Sequence, residues 1–354
     1  MTSPLSLRDQ GWRMPAEWEP HQATWMSWPS RLNTSFPDGD HHDRVLPVFA
    51  RLIEAITASE PLYLNCVNDD DRSWIERNVA SEARKNLIIT DIPAVYPWCR
   101  DHGAIFVVND ATGEVAATTW EYNAWGRKYP EAIPDTNIPS AMASLLGLKD
   151  FPGGMVLEGG SIDLNGCGSL LTTESCLLNP NRNPHLSRTQ IEQRLRDFLG
   201  VDKILWLHDG VAGDDTDGHI DDITRFINPE TVLTVVEDNP ADENYPRLLE
   251  NYERLCRMTT EDDSGLNVLV LPMPSPLIMD DQRLPASYAN FYITNQSVIV
   301  PVFNDPNDER ALAKLAECFP DRRIVPIDST ELVWGLGSFH CLTQQVPAPP
   351  RIRR

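Results

Sequence analysis

Two hydrophobic periods alternate along the chain. From Val45, apolar residues recur at Val48, Phe49, Leu52, Ile53 and Ile56, the three-and-four spacing of an amphipathic helix. Apolar runs flank it: a strand-like segment ending Ala23-Thr-Trp-Met-Ser-Trp28, and another from Leu62 to Val67. A second helix is expected from Asp69, where three aspartates suit the positive end of a helix dipole. After this, one unit recurs. A hairpin of 104–108 and 115–119 precedes a helix at 138–148 and a strand at 155–157. A hairpin about Asn165-Gly166 leads to a helix at 187–199 and a strand at 203–207. Strands at 220–226 and 231–236 precede a helix at 245–258 and a strand at 266–271. Strands at 290–294 and 297–302 precede a helix at 307–318 and a strand at 323–327.

Strand, strand, helix, strand is thus expected four times. The N-terminal strand, helix and strand, joined by a C-terminal strand carrying Cys341, would make a fifth unit split across the termini. A length of 354 residues suggests two domains. Repeat periodicity takes precedence over length, so the expectation is one catalytic domain over residues 1–354, closed as a ring.

Composition narrows the function. Hydrophobic content of 41% is enough for a sizeable core. A net charge of -22 argues against a nucleic-acid partner, because nothing could neutralise phosphates over a wide face. It is compatible with a small cationic substrate. Met1 to Trp12 lacks the apolar core of a signal peptide, and no run reaches membrane-span length. Seven cysteines stand singly, without a Cys-x-x-Cys pair. The expectation is a reducing, cytoplasmic setting with no membrane partner, and with association into a homo-oligomer left open.

Chemistry-bearing residues gather beside glycines. Gly335 to Gln345 reads Gly-Leu-Gly-Ser-Phe-His-Cys-Leu-Thr-Gln-Gln; Cys341 there is either a positioned nucleophile or a small buried hydrophobe. Arg100-Asp101, ahead of Gly103, is a salt-bridged loop or a site. Glu158 precedes Gly159-Gly160, where backbone can approach closely; if buried, it needs a partner, and a histidine would serve. His219 and Asp221 would share one face of a strand. Their acidic loop, Gly213 to Asp222, lacks the glycine and glutamate register of a calcium-binding hand. His41-His42 reads as a solvated helix entry at the end of a polar loop, 38–43. No metal and no cofactor is expected, since phosphate loops and dinucleotide fingerprints are missing from the sequence. Asn123-Ala124-Trp125-Gly126 is a pocket wall or core packing.

A cysteine and a histidine suit nucleophilic catalysis. His340, next to Cys341 on a strand, should face away from it, leaving His219 as the base. Carboxylates beside a thiol would raise its pKa and repel an oxyanion. They make sense around a cation, and a guanidinium matches them.

These motifs resemble those of agmatine deiminases, within the bacterial-type peptidylarginine deiminases of the guanidino-modifying (pentein) superfamily. The matching segments are Met14 to Trp25, Arg100-Asp101-x-Gly103, Asn123 to Gly126, Leu157 to Ser161, Leu177 to Pro184, Asp215 to Asp221, Pro285 to Phe291 and His340 to Gln345. Two segments depart from the usual pattern: Gly335-Leu336-Gly337-Ser338 replaces a run of glycines, and His102 and Ala104 replace threonine and proline.

The resemblance implies a five-bladed pseudosymmetric α/β propeller. It implies hydrolysis of a guanidinium, agmatine first, with arginine or peptidylarginine as alternatives and a guanidino-binding protein without activity as the competing class. Cys341 would attack, His219 would move protons, Glu158 would hold His219, and Asp101 and Asp221 would clamp the guanidinium. Trp98 would pack on the cation, and Trp125, Asp215 and Gly337 would complete its pocket. For the distal end, Asp214, Asp215 and Asp217 would suit an amine; Arg127 or Arg182 would suit a carboxylate.

Overall fold

The computed structural model describes residues 6–29, 31, 35, 36 and 39–352; Asp38 of the expected polar loop lies outside them. Five sheets share one pairing rule among the described residues. In each, a central strand pairs antiparallel with one neighbour and parallel with the other. Ile105–Asn109, Glu114–Glu121 and Lys149–Val156 do so, as do Asp163–Leu164, Ser169–Thr173 and Lys203–Leu207. Thr224–Asn228, Thr231–Val236 and Asn267–Pro272 follow, then Tyr292–Ile293, Ser297–Val302 and Arg323–Asp328. A parallel neighbour needs a crossover connection, and the helices supply it: Ile138–Leu145, Arg188–Leu199, Asn244–Leu255 and Asp308–Cys318.

The fifth sheet joins the ends of the chain. Thr343–Pro347 runs antiparallel to His21–Ser27, with Gln345 opposite Thr24, and His21–Ser27 runs parallel to Leu62–Asn65. The helix Gly39–Thr57 crosses between them, burying Val45, Phe49, Leu52, Ile53 and Ile56. Each such side chain contributes about 1.5–3 kcal/mol when taken fully from water. Its core cluster continues into Trp98, Trp125, Phe339 and Leu342, so the walls of the candidate site are part of a packed core.

Several expectations are corrected. His41 and His42 are buried rather than solvated: His41 stacks on Trp334 at 4.6 Å and a His42 nitrogen lies 2.7 Å from the Pro29 carbonyl. The strand expected at 220–226 begins only at Thr224, because Ile220–Asp222 is a short 3-10 turn. Cys341 stands on a helical turn, Phe339–Leu342, immediately before the last strand. A two-residue hairpin, Ile278–Met279 with Gln282–Arg283, had no clear periodic signal.

Candidate active site

Each candidate residue sits where a strand or loop breaks into a tight turn. Arg100 and Asp101 share the helical turn Cys99–His102, but the turn sends them different ways. Arg100 is structural: its guanidinium donates to Gln345 Oε1 at 2.7 Å, Glu17 Oε2 at 3.2 Å and the His340 carbonyl at 3.3 Å. Asp101 faces a cavity, accepting from Trp125 Nε1 at 2.9 Å and from the Gly160 N–H at 3.1 Å.

The glycine pair after Glu158 is explained by close approach. A Cβ on Gly160 would lie 2.6 Å from His219 Nδ1, 2.8 Å from Asp101 Oδ1 and 3.1 Å from Asp221 Oδ2. Three candidate groups therefore converge on one backbone position that admits no side chain.

His219 precedes the 3-10 turn. The acidic loop holds it in place: Asp214 accepts from the backbone N–H groups of Thr216, Gly218 and His219. That carboxylate is a loop staple and is not turned to a ligand. His219 Nδ1 lies 3.5 Å from Asp101 Oδ1. Burial alone would push the imidazole pKa down, but Asp101, then Cys176 and Asp221, hold it well above its ordinary value.

Glu158 is fully buried, and its hydrogen-bonded partner is Arg182, not a histidine: Arg182 Nε donates to Oε1 at 2.6 Å. Its Oε2 and both nitrogens of His219 have no hydrogen-bond partner among the described residues. A carboxylate oxygen of Glu158, Sγ of Cys176 and a nitrogen of His219 lie within 4.8 Å of one another. Asp221, Asp222 and Cys341 form a second such triplet. Either set has metal-ligand chemistry, but Glu158 already pairs with a guanidinium and Asp221 with an imidazole.

The expectation that His340 faces away from the chemistry fails, because a helical turn does not alternate faces. His340 bridges two carboxylates, with Nδ1 2.6 Å from Asp221 Oδ2 and Nε2 2.8 Å from Glu17 Oε2. Cys341 Sγ lies 3.7 Å from the same Asp221 oxygen. Burial opposes ionisation of Asp221, yet the His340 hydrogen bond and charge bring its pKa below the usual carboxylate range. Asp101 is pushed up to about 6, by burial first, with Asp221 and Glu158 adding to it and His219 opposing. The Cys341 thiol is held well above its ordinary value by burial, then by Asp221, Asp222 and Asp101.

A cavity of about 130 Å³ opens onto Cys341 and Asp101. Trp98, Trp125, Tyr96 and Tyr129 form its aromatic walls, Gly337 lies beside Cys341, and Asp215 is also in the lining. A Cβ on Gly337 would meet the Trp98 ring at 2.7 Å. Asp215 accepts the Tyr129 hydroxyl. Asp217 is committed to Lys128 at 2.8 Å and Arg182 at 2.7 Å. Arg182 is thereby enclosed by acids, and Arg127 is exposed outside the lining.

Similarity to known proteins follows the same residues. The sequence profile of the Porphyromonas-type peptidyl-arginine deiminase matches residues 13–347. The chain belongs to this family. It is 38% identical to agmatine deiminase of Pseudomonas syringae pv. tomato over 97% of each chain. Among solved structures it is similar to agmatine deiminase of Enterococcus faecalis, with a TM-score of 0.91 and 33% identity over 98% of this chain and 99% of that one. A C. jejuni agmatine deiminase with substrate bound gives 0.86 and 30% identity, covering 96% and 97%.

Residues absent from the sequence expectations complete the site. Glu17 is buried between two guanidinium groups and an imidazole, 2.9 Å from Arg225, 3.2 Å from Arg100 and 2.8 Å from the His340 ring. A single glutamate inside Met14-Pro-Ala-Glu-Trp was a signal for it, since a charge in an apolar run needs partners. Asn290 touches Cys341 itself, and nothing in its polarity marks it out from the chain's other asparagines.

Proposed function

We propose that this chain hydrolyses agmatine to N-carbamoylputrescine and ammonia, using Cys341 as nucleophile. The observation that carries the reading is the cavity lining. Among the described residues, it brings a thiol and two carboxylates, Asp101 and Asp215, to one apolar-walled space with no lysine or arginine in its wall. A dication with a guanidinium at one end and an amine at the other fits such a space. Free arginine would bring a carboxylate to it with no cation to meet it.

As the guanidinium settles between Asp101 and Asp221, the Cys341 thiol gives up its proton to solvent, and the thiolate attacks the guanidinium carbon, forming a C–S bond. His219, protonated in the resting site, gives its proton to the departing nitrogen, so the C–N bond breaks and ammonia leaves a thiouronium. Neutral His219 then takes a proton from water as that water adds to the same carbon. The C–S bond breaks, the electron pair returns to sulfur, and the hydroxyl proton passes to that sulfur, giving the ureido product and the resting thiol. Glu158, with its free oxygen near His219, orients the ring. Gly337 leaves room for Trp98 against the cation.

Five like-built sheets and the pairing of the two chain ends support a five-bladed propeller forming a single domain. The sites at the sheet ends would then face one central cavity. The chemistry needs neither metal nor cofactor, because the nucleophile, acid and clamp are side chains.

The experiment is to incubate the protein separately with agmatine, free arginine and an arginine-containing peptide and to assay ureido product. Product from agmatine, with little from the other two, is expected. Product from arginine and not agmatine would overturn the substrate assignment. Activity surviving in Cys341→Ser would overturn the nucleophile.

A further inference from the structure

The Asn290 carboxamide uses all of its hydrogen-bonding capacity around the thiol. Its Nδ2 donates to Cys341 Sγ at 3.1 Å and to Asp222 Oδ1 at 2.9 Å. Its Oδ1 accepts the His340 N–H at 2.9 Å and the Cys341 N–H at 3.3 Å. The His340 N–H also reaches the Asn290 carbonyl, at 3.2 Å. A primary amide has two donor hydrogens and one two-lone-pair acceptor. Here both donors and both lone pairs are engaged, so the group can neither flip nor rotate without losing several bonds at once.

We propose that Asn290 is a catalytic residue of this reaction: its amide N–H is the hydrogen-bond donor that holds and stabilises the Cys341 thiolate, while its oxygen fixes the backbone turn that carries the sulfur. The inference rests on the reading of Cys341 as the nucleophile and adds to it the group that makes a thiolate tolerable there. The other side chains facing the sulfur are acidic: Asp221 at 3.7 Å, with Asp222 and Asp101 nearby. His340 is turned onto Asp221 and Glu17, and His219 onto Asp101. Among the described side chains around it Asn290 is the one donating a hydrogen bond to the sulfur, and the Ser338 backbone N–H is a second donor that also favours the thiolate. A bond to a charged acceptor is worth more than one to a neutral acceptor, so the Asn290 donor strengthens as the thiol ionises.

Asp222 gives the amide its orientation. Burial, then the Asp221 charge, keeps the Asp222 carboxyl in its neutral form well above the usual range. The Ser287 hydroxyl ties the Asp222 carbonyl at 2.7 Å, which fixes the turn from the other side.

The test uses Asn290→Asp, which keeps the shape and both acceptor bonds, and Asn290→Ala, with folding checked by circular dichroism. The readouts are the pH dependence of Cys341 alkylation by iodoacetamide in the presence of guanidinium, located by peptide mass spectrometry, and kcat and KM for agmatine. In either folded variant, the alkylation midpoint should rise by about one pH unit or more and kcat should fall by more than about tenfold, with KM within about threefold. A folded variant with an unchanged midpoint and kcat would overturn the inference. That result is distinct from failure of the functional reading, which would show instead as activity in Cys341→Ser.

Discussion

Cys341 Sγ and Asp221 Oδ2 lie 3.7 Å apart in a buried site. A thiol and a carboxylate at this distance oppose each other's ionisation, and the contest is already decided. His340 keeps Asp221 ionised, and burial, then Asp221 with its acidic neighbours, keeps Cys341 protonated. The proposed nucleophile is therefore disarmed at rest. A guanidinium about 4 Å from the sulfur would favour the thiolate by about 4 kcal/mol at an effective dielectric of about 20, roughly three pKa units. The substrate itself is the arming charge.

Asp101 sets the acid limit of activity. Its carboxyl is raised to about 6 in the free site, and only the ionised form can clamp a cation. The sign is that of a raised acid: below its pKa the clamp is protonated and binding is lost. We predict that kcat/KM falls as pH drops through about 6. Asp101→Asn should remove that limb and lower kcat/KM by more than about a hundredfold. A pH–rate profile on both proteins checks it.

Asp215 tests the distal end. It lines the same cavity as Asp101 and Cys341 and accepts the Tyr129 hydroxyl. Asp215→Asn should raise KM for agmatine by about tenfold or more, the loss of a charge-assisted bond of about 1.5–3 kcal/mol. Turnover should change less, because Asp215 is assigned to the tail of the substrate and not to the reacting carbon. Steady-state kinetics separate the two effects.

Gly160 tests convergence. Its missing Cβ keeps His219, Asp101 and Asp221 together. Gly160→Ala should displace at least one of them and cut kcat by more than about a hundredfold, since misplacement of about 1 Å has that cost. Activity close to that of the unaltered protein, in a folded variant, would mean these groups are not the working set.

Much of the fold was written in local pattern. The helix from Val45 needed only its spacing, and the split fifth unit followed from counting what four repeats left over. The errors fell at turns. Cys341 sits in a helical turn of four residues and His219 directly before one of three, where no period can develop, so a strand-based rule misdirected His340. Glu158 shows a second kind of limit. Its burial was legible from the glycines beside it, but its partner, Arg182, is 24 residues away and was weighed for a different task. Asn290 and Glu17 act across separations of 51 and 323 residues; contacts that distant leave no trace in spacing. Leu336 remains a departure with a structural cost: it holds a left-handed backbone at φ 68°, a conformation that glycine adopts freely.

The most direct measurement is the ionisation of Cys341, followed by thiolate absorbance against pH with and without a bound guanidinium competitor, using Cys341→Ser to subtract the other thiols. The account predicts a midpoint well above the ordinary thiol range in the free protein, falling by roughly three units when the cation binds. A midpoint that does not move on binding would contradict it.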